Sequence, residues 1–144
     1  MIKVLPDKWV RKSIYDAMND MIINSIEIPF YDSRVTGNNI PSFYVLMTTQ
    51  TNDVDKANKC EDFWQSSILL DVVTSYDAPG NTGSRLMADN IADEIRSRIN
   101  GIALDVASGL EIITKTISLP NDISTVTKNE NIFRKLIRLE MLIK

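Results

Sequence analysis

The sequence predicts an α+β domain in which two helices pack on one face of a largely antiparallel sheet of about five strands. Two segments carry apolar residues at steps of three and four, as amphipathic helices do. Several other segments alternate apolar and polar residues, as half-buried strands do. Helices and strands do not alternate along the chain, which favours this class over a fold built from βαβ units.

The first predicted helix runs from about Asp7 to Ser25, with Pro6 before it and Asp7 as a candidate N-cap. Its apolar stripe consists of Trp9, Val10, Ile14, Ala17, Met18, Met21 and Ile22. A short strand follows from Ile26 to Tyr31. Because Pro29 cannot donate a ladder hydrogen bond, we expect this strand to be an edge strand or a bulged one.

Two longer strands are predicted next. Phe43–Gln50 is rich in aromatic and β-branched residues, and Phe63–Tyr76 contains a nearly continuous apolar run typical of a central strand. The polar segment Thr51–Glu61 between them is expected to be a loop.

The second predicted helix follows a Pro-Gly turn, with Ser84 or Thr82 as the candidate cap, and runs to about Asn100. Gly101 is a suitable stop. The buried stripe consists of Met87, Ala88, Ile91, Ala92, Ile95 and Ile99.

Two strands complete the chain, Leu110–Leu119 and Phe133–Ile143, with Pro120–Glu130 expected as a polar hairpin loop. In the last strand the core-facing set is expected to be Phe133, Ile137, Leu139, Met141 and Ile143, whereas Lys135, which falls in the same alternation, is expected not to face the core. The predicted order is α-β-β-β-α-β-β within one domain spanning residues 1–144.

Composition limits the possible functions. With 144 residues, 44% of them hydrophobic and 24% charged, the chain has the balance of a globular domain. A net charge of −3 gives no basic excess for nonspecific nucleic-acid binding. No apolar run reaches the length of a membrane span, and the first residues do not resemble a signal peptide. We therefore expect a protein made in a cytoplasm, with no membrane partner.

Enzymatic chemistry has little support. The sequence contains no histidine, which excludes Ser-His-Asp and Cys-His catalysis and histidine metal sites. The single cysteine, Cys60, lies beside acids that disfavour a thiolate. Asp89, Asp93 and Glu94 could offer carboxylates to a magnesium ion, although a solvated helix face explains them as well. We expect no enzyme activity, no cofactor and no metal.

Three segments resemble the tail terminator, or tail completion, proteins of tailed phages. IPFYDSRV (Ile28–Val35) and IPSFYVLMTTQT (Ile40–Thr51) are similar to the stretch P-[VF]-Y-D followed by P-[YF]-V after the first helix of that family. Ser66–Ile95 is similar to its strand, small loop and helix. Related neck and collar ring proteins of the head–tail junction use similar α+β units.

The resemblance implies a structural virion protein without enzymatic activity. Members form a homo-oligomeric ring, of hexamer or dodecamer type, that caps the tail tube and connects it to the neck or portal. Genomic DNA would pass through the ring without specific binding. The implied location is the tail or neck of a virion assembled in the host cytoplasm.

We expect subunit contacts at an open sheet edge, at exposed aromatic or arginine side chains, and in the predicted loop Asn121–Asn131. The candidate interface residues are Tyr31, Arg34, Tyr44, Trp64, Asn121, Asp122, Lys128 and Asn131. For Tyr44 and Trp64, core packing is an equally good explanation. Two other classes stay open: a monomeric adaptor or assembly chaperone that binds a partner through its edge strand, and a histidine-free, metal-dependent hydrolase.

Overall fold

A computed structural model describes residues 5–37, 39–55, 63–77, 83–126 and 129–144. In chain order, its elements are α1 (Asp7–Met18), β1 (Ile22–Ile23), β2 (Ile26–Glu27), β3 (Phe30–Asp32), β4 (Phe43–Asp55), β5 (Phe63–Asp77), α2 (Leu86–Asn100), a 3₁₀ helix (Val106–Ser108), β6 (Ile112–Val126) and β7 (Glu130–Ile143). No helix within these ranges is long and apolar enough to cross a bilayer.

The main sheet has five strands in the order β3-β4-β5-β7-β6. All neighbouring strands are antiparallel except β3 and β4, which run parallel. Strands β1 and β2 form a separate antiparallel hairpin. The predicted α+β class is confirmed, as is the edge position of the strand that contains Tyr31.

The core lies between the two helices and one face of the sheet. Helix α1 contributes Val10, Ile14 and Met18, and α2 contributes Ala88, Ile91, Ala92, Ile95 and Ile99. They pack against alternate residues of β5 and β7, among them Ile68, Leu70, Val72, Ile137, Leu139 and Met141. The predicted core face of β7 is therefore confirmed. The expectation that Lys135 does not share this face is wrong: it lies on the helix side, where ion pairs with Asp89 and Asp122 neutralise its charge.

Helix α1 ends at Met18, so the predicted end at Ser25 is wrong. Asn19 is extended and Asp20 has a φ of 57°, which stops the helix. The predicted strand Ile26–Tyr31 is correspondingly split between β2 and β3. A tight turn joins β1 to β2, with Asn24 and Ser25 both at positive φ, as primed hairpin turns require.

The caps also differ in detail from the prediction. Pro6 is the N-cap of α1, and Asp7 is its first residue. Arg85 is the N-cap of α2, while the Ser84 hydroxyl accepts a hydrogen bond from the Leu86 N–H at 3.3 Å. Thr82 lies outside the described residues. Gly101 ends α2 as predicted.

Two predicted loops are partly strand. Residues 51–55 continue β4 and pair with β5, whereas residues 56–61, including Cys60, lie outside the described residues. Strand β6 continues to Val126, so Pro120–Glu130 is not the long loop expected. A bulge between Ser118 and Asn121 accommodates Pro120, because an edge strand tolerates proline at a bulge.

Candidate functional site

The face of the main sheet opposite the helices forms the candidate interaction surface, which we call the open face. One row of neighbouring residues crosses all five strands on this face, and it consists of Tyr31, Leu46, Asp71, Leu136 and Asn121. The next row consists of Tyr44, Val73, Arg134 and Ile123. No helix of the described ranges covers these two rows. Apart from the charged pair Asp71 and Arg134, their side chains are apolar, aromatic or neutral.

Asp71 and Arg134 form that charged pair. Only 6% of the Asp71 side chain is exposed, compared with 41% of the Arg134 side chain. Arg134 Nε donates to Asp71 Oδ1 at 3.3 Å, and Arg134 Nη2 donates to Oδ2. The hydrogen bond to Asp71 raises the pKa of the Arg134 guanidinium above its ordinary value. This fork geometry satisfies both carboxylate oxygens and neutralises the charge of a nearly buried group.

Tyr31 and Tyr44, two of the predicted interface residues, lie together beside this pair. Their rings meet edge to face, with centroids 6.1 Å apart and an angle of 75° between the planes. Burial, and then the charge of Asp71, raises the pKa of the Tyr44 hydroxyl. The two tyrosines and the ion pair thus form one continuous patch, which we call the tyrosine patch.

The other predicted interface residues are dispersed. Trp64 is half-buried on the helix side of the sheet and packs against the core, which agrees with core packing as the explanation for this residue. Arg34 is exposed just after β3. Asn131 is buried in β7, so its predicted exposed loop position is wrong.

The remaining three candidates fall at or near the outer strand. Asn121 lies in β6, in register with Leu136. Asp122 is exposed and forms an ion pair with Lys135 at 3.4 Å. Lys128 lies outside the described residues. Asn121 and Tyr31 are therefore at opposite edges of the same sheet.

Strand β6 is the long edge that the sequence did not single out. It spans Ile112–Val126 and pairs on one side only, with β7, among the strands described. Apolar side chains along it are exposed, including Ile113, Ile123 and Val126. Alternating threonines and the edge-compatible Pro120 were the signals in the sequence for this position.

The opposite edge is only partly covered. Strand β3 pairs with Val45–Met47 and no further. From Thr48 onward, the outer side of β4 has no strand partner in the described part of the chain. Both edges therefore present backbone hydrogen-bonding groups that a further strand can use.

The carboxylates of α2 do not form a metal site. Asp89 pairs with Lys135 at 2.7 Å, and Glu94 pairs with Arg98 at 3.0 Å. Within the ranges that the structure describes, no group of three His, Cys, Asp or Glu residues could hold a metal ion. A cleft of about 500 Å³ beside α2 is lined by both Lys115 and Lys135, and both lysines are already engaged in hydrogen bonds.

One solved chain, from the virion of a native gene transfer agent particle, has a similar fold. The likeness has a TM-score of 0.50 at 13% sequence identity, and it covers 78% of this chain and 78% of that chain. No protein-family model matches this chain. No curated protein matches it in sequence. At this identity the likeness shows a shared fold.

Proposed function

We propose that this chain is a structural subunit of a phage-like virion. It closes into a ring at the tail or head–tail junction, caps the tail tube and joins it to the neck or portal. The observation that carries the proposal is the fold shared with a chain of a gene transfer agent virion across 78% of both chains. The resemblance of Ile28–Thr51 and Ser66–Ile95 to tail terminator proteins supports the same conclusion from sequence.

The two edges of the sheet give the proposal a physical basis. A subunit with different open edges on opposite sides makes head-to-tail contacts, and such contacts generate a ring when the rotation between copies closes. Here the edges are β6 on one side and the uncovered part of β4 on the other. Both edges belong to one hydrogen-bonded sheet, which sets their relative orientation within each subunit. The sheet therefore also sets the angle between successive contacts around a ring.

Charge is compatible with a channel that DNA passes through without being held. The chain has a net charge of −3, which gives no counterion-release contribution to DNA affinity. The most buried cation–anion pair of the open face, Asp71 with Arg134, is internally neutralised. A ring lumen found to be strongly basic would contradict this part of the proposal.

Native mass spectrometry with negative-stain imaging tests the ring. We expect closed rings of six or twelve copies, either from the purified chain or after addition of portal and tail-tube subunits. We also expect peptides of this chain in purified tailed particles. A species that stays monomeric with those subunits present would contradict the ring and favour an adaptor that binds through its edge strand.

An enzymatic role has its own test. Metal-dependent hydrolysis that is lost in Asp93→Asn would contradict the structural role, with Asp16→Asn on α1 as the matched change of an exposed acid. We expect neither variant to differ from the parent chain in hydrolysis, because two of the three α2 carboxylates are paired with cationic side chains.

A further inference from the structure

We propose that β6 of one subunit pairs with the outer side of β4 in the next subunit, which extends the main sheet from copy to copy. This inference rests on the proposed function, since it names the strands that join the ring. The segments are Ile112–Ser118 of β6 and Thr48–Val54 of β4, which have equal lengths. The partner of each open edge is therefore a second copy of this chain.

The β4 segment is accessible where β3 ends. Within the described ranges, the backbone hydrogen bond furthest along this side of β4 runs from the Ser33 N–H to the Met47 carbonyl, at 2.8 Å. Beyond it, Thr49, Thr51 and Asp53 are exposed. A cleft of about 320 Å³, lined in part by Arg11 and Thr49, opens beside this part of the strand.

Strand direction favours this pairing. Strand β4 is antiparallel to β5, β5 to β7, and β7 to β6, so β4 and β6 run in opposite directions within a subunit. Rotation about an axis roughly parallel to the strands preserves these directions. Strand β6 of one copy therefore meets β4 of the next in the antiparallel sense, which has the better hydrogen-bond geometry.

The register within the subunit places matching side chains at the same height. Thr51 is in register with Ser67, Ser67 with Glu140, and Glu140 with Thr116. Thr51 and Thr116 thus lie on the open face, at the two ends of one row. In a ring whose subunits are related by rotation without a shift along the axis, Thr116 of one copy lies beside Thr51 of the next. Cross-strand threonine pairs of this kind are favourable.

Pro120 limits the extent of the pairing. It lies in the bulge between Ser118 and Asn121 and has no N–H to donate. A pairing that begins at Ile112 therefore ends near Ser118. Such interruptions keep an open edge from pairing indiscriminately along its whole length.

Cysteine cross-linking tests this pairing in a Cys60→Ser background. Thr51→Cys combined with Thr116→Cys should give a ladder of covalent oligomers on oxidation, because a disulfide needs Cβ atoms about 4 Å apart. Each single variant should stay unlinked. The matched control is Thr51→Cys combined with Val106→Cys, which places a thiol at a residue that is 93% exposed and lies in the 3₁₀ helix, outside both paired segments.

Amide hydrogen exchange gives a second readout that does not depend on substitutions. On assembly, the amides of residues 112–118 and 48–54 should gain protection together. Native mass spectrometry could show rings while neither the disulfide ladder nor the amide protection is seen. That result would overturn the proposed strand pairing and leave the proposed ring intact. A disulfide dimer from Thr116→Cys alone would overturn it in favour of a two-fold β6 contact. Failure to assemble with portal and tail-tube subunits would overturn both proposals.

Discussion

Arg134 of β7 holds the nearly buried carboxylate of Asp71 on the neighbouring strand β5 through two hydrogen bonds. The pair lies on the open face, where no helix in the described ranges shields it. Burying a carboxylate costs free energy unless it is paired and hydrogen-bonded, so Asp71 depends on this one guanidinium. The Asp71–Arg134 pair therefore fixes two side chains of the open face relative to each other.

Replacing Arg134 should therefore destabilise the fold more than replacing its neighbour. Arg134→Met leaves the Asp71 carboxylate unpaired, and we expect the free energy of unfolding in urea to fall by about 2–3 kcal/mol. Arg138→Met, an exposed change on the same face, should stay within about 0.5 kcal/mol. In a double-mutant cycle with Asp71→Leu, the coupling should be about 1–3 kcal/mol. Equal effects of the two arginine changes would contradict this assignment.

Among the glycines in the described ranges, Gly83 is the one where an added side chain fits least well. Its φ is +87°, and an added Cβ would lie 2.3 Å from Cδ2 of the Tyr76 ring. That ring packs between Phe43 and Phe133, with centroids 5.3 and 6.0 Å away, so it cannot move aside freely. We expect Gly83→Ala to lower the free energy of unfolding by about 2–4 kcal/mol, from backbone strain together with overpacking.

Gly37→Ala separates the two contributions to that loss. Gly37 also has positive φ, at +106°, but an added Cβ there meets nothing within 4 Å. Its cost should be limited to backbone strain, about 1–2 kcal/mol. Urea unfolding of both variants checks this. If Gly83→Ala lowers the free energy of unfolding no more than Gly37→Ala does, the Tyr76 ring moves aside without cost and the overpacking is contradicted.

Arg98 of α2 stabilises the carboxyl end of α1. Its Nη1 donates to the carbonyls of Ala17 at 3.0 Å and Asn19 at 2.6 Å, and its Nη2 donates to that of Asp20 at 3.4 Å. These carbonyls have no intrahelical partners at a helix end. We expect Arg98→Met to cost about 1–3 kcal/mol and to speed amide exchange in the β1–β2 hairpin that follows.

Arg96→Met is the matched control, because Arg96 is exposed on the same helix. It should change the stability by less than about 0.5 kcal/mol and leave the exchange of the hairpin unaltered. Faster exchange in both variants would indicate a general effect of charge on α2 rather than a cap.

The sequence predicts the core better than the ends of the elements. Periodicity identified the buried faces of α2 and β7, because burial selects apolar side chains at a fixed spacing. It missed the end of α1, where Arg98, 79 residues away from Asn19, supplies the hydrogen bonds that close the helix. Local sequence patterns cannot predict a hydrogen-bond partner that is so distant in sequence.

Bulges explain what was missed in β6. The bulge between Ile112 and Thr114 puts Lys115 and Ile117 on the helix side of the strand, where simple alternation places Thr114 and Thr116 with Ile112. Lys115 Nζ then donates to carbonyls at the end of α2, including that of Asn100 at 2.9 Å. The bulge and this tertiary contact occur together, and alternation along the strand predicts neither.

The candidate site was predictable in part. The enrichment of aromatic residues in interface cores predicts Tyr31 and Tyr44 as contact residues. Their adjacency follows from the pairing of β3 with β4. The polarity of Pro120–Glu130 predicts a loop and with it an exposed Asn131, but Asn131 is buried in β7. Polarity alone does not separate an exposed edge strand from a loop, since both face water.

Asp105 provides a prediction about pH. It caps the 3₁₀ helix: its Oδ1 accepts the Ala107 N–H at 2.9 Å, and its Oδ2 accepts a hydrogen bond from Lys12 Nζ at 3.3 Å. The Ala107 N–H, and then Lys12, lowers the pKa of the Asp105 carboxyl below its ordinary value of 3.8. A carboxyl with a lowered folded-state pKa stabilises the fold above its unfolded pKa, and this contribution is lost as the pH falls through the folded value.

A carboxyl ¹³C titration should therefore give Asp105 a midpoint below 3.8. Lys12→Met should raise that midpoint but leave it below the ordinary value, because the larger cause, the Ala107 N–H, remains. Lys8→Met is the control, since Lys8 lies over the Trp9 ring and is not among the groups that shift Asp105. A midpoint restored fully by Lys12→Met would assign the whole effect to the ion pair and contradict the capping role of Asp105.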